Sequence, residues 1–99
     1  MWFVYIVRCA DDTLYTGIAK DVTRRIGEHN SNNLLGSNYT RARRPVALAY
    51  REAVKTRSAA ARREYEIKQM TRQEKEYLIG RAGAENAVLE GAIANRRVP

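Results

Sequence analysis

Residues 2–18, WFVYIVRCADDTLYTGI, decide how the N-terminal part of this chain folds. Trp2 to Val7 are all aromatic or β-branched, which predicts a strand. Ala10 to Thr13 form a polar turn, and Leu14 to Ile18 form a second short strand. The chain is therefore expected to begin with a β-hairpin.

The register of this hairpin decides whether Tyr5 and Tyr15 share a face of the sheet. Tyrosines in strands are usually packing residues, and that structural role is the alternative to a functional one. Directly opposed residues share a face, so Tyr5 and Tyr15 share one only if opposed residue numbers sum to an even value. A three-residue loop, Asp11 to Thr13, or a bulge provides such a register. Gly17 lies on the same strand face as Tyr15, and a glycine there often marks the close approach of backbone or ligand.

The remaining elements follow from helix caps, periodicity and turn residues. They are a helix from the Asp21 cap to about Asn30, a loop from Asn30 to Arg44, a strand from Val46 to Glu52, a helix from a Thr56 or Ser58 cap to about Met70, and a helix from the Thr71 capping box to Ile79 with Gly80 as its stop. The order β-β-α-β-α-α predicts a small α/β domain with a three-stranded mixed or antiparallel sheet flanked by helices. We expect the domain to span residues 1–80, with 81–99 as a tail or a short further helix of the same domain.

Charge and composition narrow the functional classes. Lys and Arg number 18 against 11 Asp and Glu, a net charge of +7, and fourteen of the cations are Arg. Arg matches phosphate oxygens with a planar fork, which favours a polyanionic partner, although simple solubility explains the charge as well. One Cys and one His exclude a disulfide within the chain and a Cys/His metal cluster. Without a membrane-length apolar run or signal peptide, we expect a cytoplasmic monomer.

One carboxylate lies where a packed face is predicted. Ala60, Glu64 and Ile67 share a helix face by their spacing, and burying a carboxylate there is costly without a positive partner. Glu66 points elsewhere and is predicted to be an ordinary surface residue. The structural alternative is that Glu64 lies at the rim of the face and pairs with an Arg.

The helix after Asp21 separates two adjacent arginines in the same way. Arg25 and His29 flank the apolar side, whereas Arg24 and Glu28 have the i, i+4 spacing of a surface pair. A purely structural role for His29 is that of a helix-end histidine stabilised by the C-terminal dipole.

A basic run follows between residues 41 and 63. Tyr39 precedes it, and it predicts a phosphate-contacting surface with an aromatic ring for stacking. A solvated face is the alternative. Its cations are Arg41, Arg43, Arg44, Arg51, Lys55, Arg57, Arg62 and Arg63.

Together these residues resemble the GIY-YIG nuclease superfamily, and most of all its short, stand-alone bacterial members. Phe3-Val4-Tyr5 corresponds to the first family motif, and Tyr15-Thr16-Gly17 corresponds to the second. Arg25 and His29 correspond to the fixed Arg of the next family helix and to the His that often follows it by one turn. The metal-binding Glu of the family corresponds to Glu64, before Ile67-Lys68.

The resemblance implies a metal-dependent endonuclease that hydrolyses phosphodiester bonds. Glu64 would hold one Mg²⁺ or Mn²⁺, and Arg25 would neutralise charge on the phosphoryl oxygens. Tyr5 would be the general base, its pKa lowered by the charges of a nearby Arg and of the metal ion. Tyr15 would position the water or the phosphate, and His29 would bond to a tyrosine or the phosphate, or serve as base itself.

The expected partner is nucleic acid, with branched or single-stranded DNA as the favoured substrate and DNA repair as a family role. The predicted contact residues are Gly17, Lys20, Tyr39, Arg41, Arg43, Arg44 and Arg63. Two other classes stay open at this point: a GIY-YIG-like module that grips nucleic acid without cutting it, and a small basic protein that binds another protein. Metal-dependent nicking of plasmid DNA separates the enzyme from both.

Overall fold

The computed structural model describes residues 1–31 and 35–82. The described residues divide between Gln69 and Met70 into two compact units. The elements of the first unit are β1 (Trp2–Arg8), β2 (Leu14–Ala19), α1 (Val22–Ser31), α2 (Asn38–Arg41), β3 (Ala47–Val54) and α3 (Arg57–Lys68). The three strands form an antiparallel sheet in the order β2-β1-β3. This confirms the predicted α/β class and three-stranded sheet.

The hairpin has the even register that the two tyrosines require. Tyr5 is opposite Gly17 and Val7 is opposite Tyr15. The predicted loop, Asp11 to Thr13, was wrong by one residue: the Cys9 N–H donates to the Thr13 carbonyl, so the three loop residues are 10–12. Asp12 takes the left-handed conformation, with φ of 67°, which Asp tolerates better than most residues.

The central strand is covered on both faces. Tyr5, Val7 and Ala19 pack with Val22 of α1 on one face. Val4 and Ile6 are fully buried on the other, where α3 packs against β1 and β2. The tyrosine side chain at position 5 therefore extends from the middle of the sheet into the space between β2 and α1.

Caps fix where the helices begin. The Arg24 N–H donates to the Asp21 carboxylate, and the Ala59 N–H donates to the Thr56 hydroxyl, so Thr56 rather than Ser58 caps α3. The predicted loop from Asn30 to Arg44 contains the single turn α2, because the Ser37 hydroxyl accepts the Thr40 N–H.

The second unit contains a helix over residues 72–82 in its described part. Its capping box is present, with Thr71 and Glu74 bonding to one another's backbone N–H. The predicted stop at Gly80 was wrong, since the helix continues past it; an interior glycine costs only about 1 kcal/mol. The predicted tail, from residue 83 onward, lies outside the described residues. Within the described ranges, no helix has the length and apolar character needed to cross a membrane.

Candidate active site

Tyr5 is the centre of the candidate site, and Gly17 makes room for it. The tyrosine is 1% exposed, and its ring lies across Gly17 on the neighbouring strand. A Cβ at position 17 would meet the Tyr5 Oη at 2.5 Å and Cζ at 2.7 Å. The close approach that the sequence predicted at Gly17 is thus made by a side chain of the protein.

His29, at the end of α1, lies against both tyrosines. Its Nε2 is 2.8 Å from the Tyr5 Oη, and its ring meets that of Tyr15 edge to face, with centroids 5.4 Å apart. The histidine is fully buried. Burial and the positive charge of Arg25 lower its pKa to about 4, so the imidazole is neutral at neutral pH.

The other ring nitrogen of His29 has a partner that the sequence did not indicate. Nδ1 lies 2.8 Å from the Oγ1 of Thr40, which is itself fully buried. The Thr40 hydroxyl is in turn 2.8 Å from that of Ser37. Sequence reasoning missed both residues because they lie in a polar loop without periodic spacing, where a buried threonine has no pattern to reveal it.

Arg25 and Arg24 differ as the helix faces predicted. The Arg25 side chain is 28% exposed, whereas that of Arg24 is 76% exposed. Glu28 accepts a hydrogen bond from Arg25 at 3.1 Å and pairs with Arg24 at 3.4 Å. Arg25 also donates to the carbonyl of Leu35. Its guanidinium is therefore held in place on the side of α1 that faces the tyrosines.

The pKa of Tyr5 is shifted by burial and by the charged and polar side chains around its hydroxyl. Burial raises the pKa of Tyr5 to about 12, and the Tyr15 hydroxyl adds to this. The Arg25 charge lowers that pKa, and the Glu64 carboxylate raises it. All four predicted partners of Tyr5 thus lie within electrostatic or hydrogen-bonding range of its hydroxyl. Arg25 alone does not give this phenol a low pKa, because the effect of burial is larger.

Glu64 occupies the predicted face of α3. Ala60 and Ile67 on that face are fully buried, and the Glu64 side chain is 24% exposed at its rim. Its partner is Lys68, at 3.5 Å, rather than an arginine. The Glu66 side chain is 53% exposed and pairs with Arg63, so it is the surface residue that the sequence predicted.

Glu64 suits a hard cation held mainly by water and substrate. The described residues contain no group of three or more His, Cys, Asp and Glu side chains that could enclose a metal. Mg²⁺ is commonly bound by one or two carboxylates together with waters and substrate phosphate. A single half-buried carboxylate with a distant lysine partner fits that mode.

The arginines that follow α2 make contacts within the protein. Arg43 pairs with Asp11 at 3.0 Å and lies over the ring of Tyr39, 3.9 Å from its centroid. Tyr39 also stacks on Tyr15, so much of its ring is already in contact. Arg44 donates to the backbone carbonyl of His29 at 2.5 Å. This segment therefore borders the site and supports it.

Other predicted contact residues lie elsewhere in the fold. The Arg63 guanidinium donates to Glu52 at 2.7 Å and to Glu66 at 3.1 Å. Lys20 lies over the ring of Trp2, 5.4 Å from its centroid. Arg41, in α2, donates to Asn38 at 2.6 Å.

A model of the GIY-YIG catalytic domain matches residues 1–77. The chain belongs to the GIY-YIG family. It is 58% identical over 78 residues to a UPF0213 protein of Desulfotalea psychrophila, covering 79% of this chain and 70% of the relative. It is 56% identical over 77 residues to a UPF0213 protein of Staphylococcus aureus, covering 78% of this chain and 92% of the relative.

A solved structure is similar as well. The solution structure of a UPF0213 protein from Bacillus halodurans is 41% identical, with a TM-score of 0.51, and the match covers 81% of this chain and 84% of that one. The predicted likeness to short bacterial GIY-YIG proteins is therefore confirmed. The family match includes Tyr5, Tyr15, Arg25, His29 and Glu64, and GIY-YIG domains are generally those of metal-dependent endonucleases.

Proposed function

We propose that this GIY-YIG protein is an endonuclease that uses Mg²⁺ or Mn²⁺ to hydrolyse phosphodiester bonds in DNA, with branched or single-stranded DNA as substrate. The supporting observation is the convergence of partners on one hydroxyl. Tyr15, Arg25 and Glu64 each shift the pKa of Tyr5, and His29 bonds to it directly. A purely structural tyrosine has no need of that set of charges.

Tyr5 acts together with His29 as the base. Without a bound ion the pKa of Tyr5 is about 12, so only about one molecule in 10⁵ carries the phenolate at pH 7. The attacking water gives a proton to the Tyr5 Oη while the phenol proton moves to His29 Nε2, 2.8 Å away. The water oxygen bonds to phosphorus as the leaving oxygen departs, and His29 becomes an imidazolium.

Arg25 stabilises the charge that builds on the phosphoryl oxygens. Its guanidinium is fixed by Glu28 and by the Leu35 carbonyl before any substrate binds, so little reorganisation is needed. The same positive charge holds His29 neutral in the free protein, ready to accept a proton. The negative charge of a bound phosphate opposes that effect and favours the imidazolium.

Glu64 would hold the divalent ion. When bound, the ion supplies Lewis-acid stabilisation of phosphate oxygens. The carboxylate of Glu64 is close enough to influence Tyr5, so the ion-binding group and the proton-accepting group serve one reaction centre.

The proposed contacts to the nucleic-acid backbone come from cations of α2, of the segment after it and of the residue before the Asp21 cap. Arg41 is exposed on α2, and Arg43 and Arg44 are half-buried in the segment that follows it. Lys20 is exposed next to the start of α1. Tyr39 is 37% exposed and lies between Tyr15 and this group of arginines. Binding through such contacts weakens steeply as salt rises. The roles of Gly17 and Arg63 in binding stay predictions.

The test is a nicking assay on supercoiled plasmid and on branched, nicked and single-stranded DNA, with Mg²⁺ or Mn²⁺. Glu64→Gln should reduce cleavage about a hundredfold or more, because the metal loses its charged ligand. Its melting temperature should hardly change, since the pair with Lys68 is weak.

Glu66→Gln is the matched control, two residues away and exposed, and it should cleave as the unchanged protein does. Salt-sensitive binding without cleavage by the unchanged protein would establish the binding module instead. Equal activity in the two variants would remove Glu64 from the reaction.

A further inference from the structure

A chain of hydrogen bonds continues from Tyr5 beyond the reacting groups. It runs from the Tyr5 Oη to His29 and from His29 Nδ1 to the Thr40 Oγ1, each step 2.8 Å long. A third 2.8 Å step joins the Thr40 and Ser37 hydroxyls. Tyr5, His29 and Thr40 are all buried, so water does not substitute for these partners.

The direction of the chain follows from its Tyr5 end. A neutral, buried phenol must donate its hydrogen, and His29 Nε2, 2.8 Å away, is the acceptor within hydrogen-bond distance, whereas Arg25 offers only N–H donors. The acceptor is therefore the lone pair of His29 Nε2, which leaves the ring hydrogen on Nδ1. Nδ1–H then donates to Thr40 Oγ1, whose own hydrogen has Ser37 as acceptor, at Oγ (2.8 Å) or at the carbonyl (3.3 Å).

We propose that Thr40 is a positioning residue: because its hydroxyl donates to Ser37, it accepts from His29 Nδ1–H and so stabilises the tautomer that keeps Nε2 free to take the proton of Tyr5. The effect on cleavage rests on the proposed function, whereas the tautomer does not. When His29 becomes an imidazolium, Thr40 also holds its second N–H. The threonine therefore orients the histidine, as a third group orients the base in other proton-transfer sites.

The Thr40 hydroxyl is not the main attachment of this segment to α1. The Asn30 side chain bonds to both the N–H and the carbonyl of Val46, at 2.7 and 3.0 Å. Arg44 bonds to the His29 carbonyl, and Arg25 bonds to that of Leu35. Thr40→Val, which keeps the side-chain shape, should therefore fold.

The first measurement is the ¹⁵N spectrum of the imidazole in the untagged protein at neutral pH. His29 is the only histidine in the chain, so its two ring nitrogens give the only imidazole signals. We expect a protonated Nδ1 and an unprotonated Nε2. A protonated Nε2 in the unchanged protein would overturn the proposal, whatever the variants do.

The second measurement compares Thr40→Val and Thr40→Ser. Valine should mix or reverse the two nitrogen signals and lower cleavage about tenfold to a hundredfold, because a buried N–H loses its partner. Serine keeps the hydroxyl and should restore both the spectrum and most of the cleavage. A Thr40→Val protein with the original tautomer, or with full cleavage, would contradict the proposal.

The two hypotheses can fail separately. If the unchanged protein does not cleave DNA but shows the Nδ1–H tautomer that Thr40→Val loses, the positioning role holds and the nuclease proposal fails. If it cleaves and Thr40→Val cleaves equally well, the nuclease proposal holds and the positioning role fails.

Discussion

Gly17→Ala tests whether the candidate site depends on the close packing of Tyr5. The added Cβ would lie 2.5 Å from the Tyr5 Oη, whereas ordinary contact begins at 3.4 Å, so the phenol must move by about 1 Å. A shift of that size is enough to break the 2.8 Å bond to His29. Overpacking of this kind costs about 1–3 kcal/mol, partly offset by about 0.5–1 kcal/mol from replacing a strand glycine. We expect a net loss near 1–2 kcal/mol.

In a thermal melt, that loss corresponds to a midpoint lower by roughly 4–16 °C for a domain of this size. Cleavage should fall by about a hundredfold, since a 1 Å displacement of a reacting group has that order of effect. Gly27→Ala is the control: among the described residues, nothing beyond the backbone of its own helix lies within 4 Å of its Cβ position, and alanine should stabilise α1 by about 0.5–1 kcal/mol.

A double-mutant cycle tests whether contact with the Tyr5 ring causes these losses. In a Tyr5→Ala background the contact is absent, so Gly17→Ala should cost nothing or stabilise the protein. A Gly17→Ala protein that melts at the original temperature and cleaves normally would refute the reasoning. Lost DNA binding with unchanged stability would instead make Gly17 a ligand contact.

Three further predictions concern Arg25, the metal ion and His29. Arg25→Ala should reduce cleavage by orders of magnitude, whereas Arg24→Ala, at a 76% exposed side chain, should leave it nearly unchanged in the same nicking assay. Chelation of the metal should abolish cleavage but preserve most DNA binding, whose log affinity should fall linearly with log salt; a flat salt response would count against phosphate contacts. Since the His29 pKa is about 4 when folded and about 6.5 when unfolded, the unfolded state binds the proton first as pH falls. In urea unfolding, the free energy of unfolding should thus stay the same above pH 6.5 and decrease by up to about 3 kcal/mol toward pH 4. The His29→Gln protein should lack this loss.

The sequence predicted the parts of the site that lie on regular elements. Strand alternation predicted that Tyr5 and Tyr15 share a face once the register is even, and the register is even. Helix spacing distinguished Arg25 from Arg24 and Glu64 from Glu66, because the difference between a packed and a solvated face repeats every turn. The observed exposures agree with both distinctions.

What the sequence could not predict depends on contacts between distant residues. Thr40 lies eleven positions from His29 in the chain, in a segment that reads only as a polar loop. Its burial arises because α2, a single turn started by the Ser37 cap, brings it under the end of α1. The effect of burial on the pKa of Tyr5 was not predictable for a related reason. Motif residues show which charges are near, but the cost of burial depends on how the chain packs around the phenol.

The basic run also shows why a cluster in sequence need not be a surface in the fold. Arg43 pairs with Asp11 of the hairpin loop, while Arg63 is bound by Glu52 and Glu66. The segment after α2 and the helix α3 thus direct their cations to different parts of the molecule. Arg63 must leave two carboxylates before it binds a phosphate. Arg41 is exposed in α2, where it donates to Asn38, and it directly follows Thr40, the buried partner of His29. We therefore predict that a phosphate contact at α2 affects the candidate active site more than one at Arg63.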